Sequence, residues 1–425
     1  MKKLLTLLLA AIMVAACCFS LTACGDEKNG DDVKFGLICL HDENSTYDKN
    51  FIDAFKAACK AKGVEYLIKT GIPESAKCKE AANDLIDQGC NLIFADSFGH
   101  EDFMMEAAEE HTNVQFFHAT GTKAHTSSLN NYHNAFASIY EGRYLAGVAA
   151  GMKLKEMIDN NQIKDSQKDT KGNVKVGYVG AFTYAEVISG FTSWYLGIKS
   201  VVNNVVMDVQ FTGSWYDETA EKEAANTLIS GGCALISQHA DSWGAPSACE
   251  TAKVPNVSYN GSTESQCPNT FIVSSRINWQ PYYEYVIDCA KNGTSAKKDW
   301  TGGLGATLDA GSVVLTALGQ KAPAAGTQTR INDVAAALKN GTLKVFDCSK
   351  FTVTKTSDKN KNATVDESGK LTGYMADVNT DAAFEGDTEV VKTVGGITYF
   401  AESEFRSAPY FDIQIDGINY LNVKF

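Results

Sequence analysis

A fifteen-residue segment occurs twice in this chain. Lys79-Glu-Ala-Ala-Asn-Asp-Leu-Ile-Asp-Gln-Gly-Cys-Asn-Leu-Ile93 returns 143 residues later as Lys222-Glu-Ala-Ala-Asn-Thr-Leu-Ile-Ser-Gly-Gly-Cys-Ala-Leu-Ile236, with eleven of the fifteen positions identical. Each copy runs on into Ala-Asp-Ser, at Ala95–Ser97 and Ala240–Ser242. A helix, a strand and the strand's exit loop repeated at that distance imply two similar lobes. Two facing lobes enclose a cleft, and the matched loops form its walls.

The repeat extends upstream. Val33-Lys34-Phe-Gly36 opens an apolar run to Leu40, and Val174-Lys175-Val-Gly177 opens another to Val179. Short apolar runs bounded by polar or Gly residues read as buried strands. A helical spacing follows each: Phe51, Ala54, Phe55, Ala58 in one, and Val187, Phe191, Trp194, Tyr195, Ile198 in the other. Such i, i+3, i+4 spacing sets one apolar face against a sheet. Val64–Ile68 and Val205–Phe211 supply the next strands. Strands alternating with helices predict an α/β fold with parallel sheets. The expectation is two Rossmann-like lobes joined by a hinge.

Lys2 and Lys3 precede a largely apolar run from Leu4 to Phe19. That is a signal-peptide pattern, too short for an ordinary membrane span. It ends in Leu21-Thr22-Ala23-Cys24, which fits a bacterial lipobox with Cys24 lipidated; simple secretory cleavage near Ala23 is the alternative. Residues 1–23 are thus read as leader and 24–32 as a lipidated tether. This places the mature chain on the extracytoplasmic face of the cell membrane.

Formal net charge is −13, and −15 without residues 1–23, which hold two lysines and no acid. An acidic surface is a poor match for nucleic acid. Nine of the twelve cysteines lie beyond Cys24, an odd number, and no CxxC occurs. Cys39, Cys59, Cys90, Cys233 and Cys289 fall within apolar patterns, so buried free thiols are expected. His133 and His239 lack an i, i+4 His partner, so no metal and no cofactor is expected.

Ligands of open parallel sheets sit beyond the carboxyl ends of the strands. There the sequence places Tyr47 and Asp48, Ser97 and Phe98, Tyr184, Trp215, and Asp241 with Trp243. Aromatic rings beside acids and hydroxyls suit a flat polar ligand. Asp241 is the leading polar contact; its alternative role is to cap a helix beginning near Ala245. Phe51 is expected in the core. Glu141 and Arg143 are expected either to pair within their helix or to line the hinge.

The run Asn134-Ala-Phe-Ala-Ser-Ile-Tyr140-Glu141-Gly142-Arg143-Tyr144-Leu145-Ala146-Gly147-Val148-Ala149-Ala150-Gly151 resembles the signature of the basic membrane protein family, the substrate-binding lipoproteins of ABC importers. Gln238-His239-Ala-Asp241-Ser242 and Asn278-Trp279-Gln-Pro-Tyr-Tyr283 resemble further motifs of that family, the second from its nucleobase-binding branch. The resemblance covers about residues 33 to 347. It implies a periplasmic-binding-protein-like fold, a purine nucleoside, free purine or riboflavin as ligand, and importer membrane subunits as partner. Asn260 stands where nucleoside-binding members carry Asp, and Asn278 where they carry a ribose-gripping Lys; both departures favour a free base or an unusual nucleoside. A nucleosidase-type hydrolase or a ligand sensor on the same fold is the other reading. No Gly-x-Ser-x-Gly elbow or Asp-rich metal run supports an enzyme.

Lobe 1 is expected to combine residues 33–130 with 262–302, and lobe 2 residues 131–261 with 303–347. Crossings are placed near Thr120–Thr122, Ser258–Ser262 and Gly302–Gly305. Residues 348–425 are expected as a small β extension on lobe 2, with Asp416-Gly417 turning a hairpin between Tyr410–Ile415 and Tyr420–Phe425.

Overall fold

The computed structural model describes residues 33–304, 311–379, 386 and 388–423. The expected leader, Cys24 and tether lie outside the described residues. The chain runs β1 (Lys34–Ile38), α1 (Thr46–Lys62), β2 (Glu65–Lys69), α2 (Lys77–Asp87), β3 (Leu92–Ala95), α3 (Glu101–Glu110), β4 (Gln115–Ala119) and β5 (Tyr132–Ala137). It continues through α4 (Ile139–Asp159), β6 (Val174–Gly180), α5 (Ala185–Lys199), β7 (Val205–Phe211), α6 (Glu218–Ser230), β8 (Ile236–Gln238), α7 (Gly244–Ala252), β9 (Asn256–Tyr259) and β10 (Phe271–Ile277). Then come α8 (Gln280–Lys291), β11 (Asp299–Gly302), β12 (Val313–Leu315) and α9 (Thr327–Lys339).

Two sheets result, ordered β11-β5-β4-β3-β1-β2 and β12-β10-β9-β8-β6-β7. The repeated strands β2-β1-β3-β4-β5 and β7-β6-β8-β9-β10 therefore occupy the same order in both. All first-sheet pairings are parallel; in the second, only β12 runs antiparallel. Helices cover both faces of the first sheet. Phe51, Phe55 and Tyr283 pack with Phe35 and Leu37 on one side, and Leu85 and Met104 with Ile38 and Ile93 on the other. Burial on both faces explains why these strands read as continuous apolar runs.

The sequence repeat has a physical basis. Gly89 and Gly232 hold φ of 92° and 93°, a left-handed conformation that a side chain disfavours. Past each glycine, the N–H of Cys90 or Cys233 donates to the carbonyl of Leu85 or Leu228, closing helix against strand. The signature run has a different basis: a Cβ on Gly147 would lie 2.1 Å from the Trp194 carbonyl oxygen, so this glycine lets α4 and α5 touch backbone to backbone.

Lobe boundaries differ from expectation at two strands. β5 belongs to the first sheet although residues 131–137 were assigned to lobe 2, and β10 belongs to the second although residues 262–277 were assigned to lobe 1. Each lobe keeps a fifth parallel strand before the chain leaves it. The crossings accordingly fall at Ser138 and at Asn278–Trp279, not at Thr120–Thr122 or Ser258–Ser262. The third follows Gly302, where Leu304 bridges to Val313.

The expected C-terminal hairpin does not form. Asp416 accepts hydrogen bonds from the Thr352 and Thr354 hydroxyls at 2.5 and 2.8 Å, and Ile418–Tyr420 joins the second sheet parallel to β7. The exposed edge of β7 takes this strand in preference to a local partner. A two-residue turn at Gly395-Gly396 does form, pairing Val391–Val394 with Ile397–Phe400. The extension also reaches lobe 1: Ser407 N–H donates to Asp299 at 2.8 Å, the Thr301 hydroxyl to Ser403 O at 3.5 Å, and the Thr126 hydroxyl to Asn379 O at 3.3 Å. All nine described cysteines are unpaired; eight are buried, and Cys289 is half-buried rather than buried as expected.

Candidate binding cleft

The two sheets point their strand carboxyl ends at each other. Between them lies a cleft of about 370 Å³, its open mouth included. Lobe 1 lines it with Leu40 and His41 after β1, Tyr47 and Asp48 of α1, Ser97 and Phe98 after β3, and Thr120 after β4. Lobe 2 contributes Glu186 of α5, Trp215 after β7, and His239 and Asp241 after β8. The lobes touch directly. The Thr46 N–H and hydroxyl donate to the Asp241 carbonyl at 3.0 and 3.1 Å, and the Phe98 and Tyr184 rings stack with centroids 5.1 Å apart.

Asp48 is placed by its own helix start. Ser45 caps α1 by accepting the Asp48 N–H at 3.1 Å, and its hydroxyl donates to Asp48 at 2.6 Å. The His41 N–H adds a third bond at 2.8 Å. Burial pushes this carboxyl up, but bonds from His41 and Ser45 outweigh it and hold Asp48 below the usual carboxylate range.

Asp96 and Asp241, partners in the repeat, have different settings. Asp96 lies behind the wall, accepting the Leu40 N–H at 3.1 Å, while its carbonyl accepts from the Tyr47 hydroxyl at 2.8 Å. Burial, then the Asp48 charge, pushes it well up. With Cys39 it forms the one group among the described residues whose donor atoms, together with Asp48, could converge on an ion. Burial, then the Asp96 charge, also raises Cys39 strongly.

Asp241 faces the cavity. It does not cap a helix: α7 begins after Trp243, and the Ser242 hydroxyl accepts the Gly244 N–H at 3.0 Å. Glu221 holds the loop by accepting the Ser242 N–H at 3.2 Å. Burial, then repulsion from Asp48, Glu221 and Glu186, pushes Asp241 well above its ordinary value.

Six of the ten expected contacts thus line the cavity: Tyr47, Asp48, Ser97, Phe98, Trp215 and Asp241. Tyr184 stands at the mouth, stacked on Phe98 and Phe182 and largely exposed. Trp243 sits at the start of α7, off the cavity. Asn260 is buried and reaches Asp241 at 3.5 Å, so it backs the wall. Asn278 occupies a crossing, its side chain donating to Gly311 O at 3.3 Å. Phe51 is in the core, stacked 4.6 Å from Trp279. Glu141 lies at the Ser138 crossing and accepts that hydroxyl at 2.8 Å; it does not pair with Arg143. The cavity also takes in Leu40, His41, Thr120, Glu186 and His239. His41, Glu186 and His239 belong to the strand-exit loops that the sequence marks as cleft walls, though it does not single them out as contacts, and Thr120 belongs to an expected crossing.

The described residues thus form two parallel-sheet lobes that face each other across a cleft with aromatic and acidic walls. The fold recurs in ABC transporter solute-binding proteins of Aeropyrum pernix (TM-score 0.60, 15% identity, covering 77% of this chain and 95% of that one) and Conexibacter woesei (TM-score 0.57, 20% identity, 73% and 98%). The family described as ABC transporter substrate-binding protein PnrA-like matches residues 40–307, and the chain belongs to that family. Among relatives, a purine-binding protein of Brucella abortus is 30% identical over 228 residues, 54% of this chain and 58% of that protein. The nucleoside-binding protein BmpA of Lactococcus lactis is 28% identical over 261 residues, 59% and 68%. A Haloferax volcanii protein named as an ABC transporter glucose-binding protein is 31% identical over 214 residues, and the match spans about half the length of each chain. No helix among the described residues is long and apolar enough to cross a membrane.

Proposed function

We propose that this protein captures a purine base or nucleoside outside the cytoplasmic membrane, anchored there through lipid on Cys24, and delivers it to the membrane subunits of an ABC importer. One observation carries the ligand class: Tyr47, Phe98 and Trp215 line a cavity whose polar groups include Asp48 and Asp241. Flat heterocycles stack on such rings and present N–H donors at their edges. Asn260 and Asn278 spend their side chains on the scaffold, which favours a free base over a ribose-bearing ligand. The ligand touches both lobes only in the closed form, so binding stabilises closure. The closed form is then what the importer distinguishes.

Releasing bound solute from freshly purified protein by heat, followed by chromatography and mass spectrometry, tests this reading. A purine is expected. The Haloferax relative's name supports a second reading, a sugar stacked on the same rings. Recovery of a hexose and no purine would establish it. Conversion of an added nucleoside to base and pentose would instead show a hydrolase.

A further inference from the structure

Arg143, in the signature run on α4, is fully buried in lobe 2. Among the described residues, no carboxylate lies within ion-pair distance of it. Its Nη2 donates to the Tyr178 hydroxyl and to the Gln238 carbonyl, the latter at 3.1 Å. Its guanidinium lies over the Tyr259 ring, 4.4 Å from the centroid, and 5.4 Å from that of Tyr178. A buried cation without a counter-ion is expensive unless its field is used.

The polar contacts lead from Arg143 into the cleft. The Tyr178 oxygen accepts a hydrogen bond from Arg143, so its own O–H is free to donate. His239 Nδ1 lies 3.5 Å from that oxygen. The His239 ring also packs on Tyr259, with centroids 4.7 Å apart. On its far side, Nε2 lies 3.3 Å from Glu186 Oε1. Burial lowers His239, which favours the neutral ring. With the Tyr178 O–H donating to Nδ1, the ring N–H sits on Nε2 and donates a hydrogen bond to Glu186. One carboxylate oxygen is thereby held in place, and the other remains available to the cleft.

From this geometry we infer that Glu186 is a specificity-determining residue that reads an amino donor on the ligand, with His239 and Arg143 as positioning residues behind it. The inference rests on the purine reading above and deepens it. Asp48 enters the cavity from lobe 1, and Glu186 and Asp241 enter from lobe 2, while no Lys or Arg among the described residues lines it. Three carboxylates reject a phosphate or carboxylate on the ligand. They select a neutral or cationic ring bearing exocyclic amino groups. A site built to bond a donor discriminates strongly against an analogue that lacks it, because the acceptor is then left buried and unpaired.

The test is a calorimetric series with adenine, 2,6-diaminopurine, unsubstituted purine and AMP, on the parent protein, Glu186→Gln, His239→Gln and Arg143→Lys. The parent should bind the amino-bearing bases at least roughly tenfold tighter than unsubstituted purine and show no binding of AMP. Glu186→Gln should weaken adenine roughly ten- to a hundredfold and leave unsubstituted purine nearly unchanged. His239→Gln and Arg143→Lys should narrow the same preference. A merely structural role would weaken every ligand alike and lower the melting temperature. If Arg143→Lys does not fold, the His239 variant carries the positioning test. A parent that binds purine and adenine equally, or a Glu186→Gln variant that keeps the parental preference, overturns this inference and leaves the purine reading intact. Absence of binding by every purine overturns both.

Discussion

Replacing Asp241 with Ala separates a ligand contact from a structural group. The side chain is 5% exposed and faces the cavity. Its one hydrogen-bond partner is Asn260 Nδ2, at the 3.5 Å limit. The interlobe bonds from Thr46 use the Asp241 carbonyl, which the substitution retains. Ser242, not Asp241, accepts the first N–H of α7. Removing the carboxylate therefore breaks little, and it relieves repulsion from Asp48, Glu221 and Glu186. The melting temperature without ligand should hold or rise. Ligand binding should suffer, since taking away the partner of a buried polar group costs roughly 1–3 kcal/mol. That corresponds to a Kd about ten- to a hundredfold weaker. Calorimetry and thermal melting on Asp241→Ala, with Asp241→Asn as the shape-preserving control, read both quantities. Parental affinity with melting several degrees lower would refute the reasoning and make Asp241 a scaffold residue.

Three further outcomes follow from the same geometry. Phe98→Ala removes the ring stacked on Tyr184 and should weaken ligand by about 1 kcal/mol or more, read by calorimetry; parental affinity would place the ligand elsewhere. Stability without ligand should rise as pH falls from about 8 toward 7. Asp96 and Asp241 are held well above their ordinary values and Glu221 and Glu402 are pushed up to about 7, so the folded state binds protons that the unfolded chain does not. Burial lowers His100, His118, His133 and His239, which oppose this gain once the unfolded chain's histidines take up protons, below about pH 6.5; melting that falls as pH drops from about 8 to 7 would contradict the assignment. Asp299→Ala leaves the buried Ser407 N–H without its acceptor, at a cost of about 1–3 kcal/mol, and should lower melting by a few degrees; unchanged melting would mean that the extension is not secured to lobe 1 through this bond.

The repeat was legible because its identical residues do identical work. Gly89 and Gly232 make the same left-handed turn, and Leu85 and Leu228 accept from the same cysteine N–H. What the sequence concealed was non-local. Tyr132–Ala137 runs straight into the α4 signature, so β5 and its crossing read as one segment with the helix. Asp416-Gly417 has hairpin chemistry, but the free edge of β7 recruited the following strand. In the cleft, aromatic and acidic loops past strand ends were readable from position alone. The link from Arg143 through Tyr178 and His239 to Glu186 joins residues far apart in the chain, and no spacing rule announces it. Asn260 and Asn278 were aligned with ligand-gripping positions of relatives, yet here they face Asp241 and Gly311.

Calorimetric titration of ligand-free protein with adenine, guanine, hypoxanthine, their nucleosides, riboflavin and glucose tests the central claim most directly. The account predicts saturable one-to-one binding of at least one purine, tighter than riboflavin or glucose. Silence from every purine, with tight binding of glucose, would contradict it.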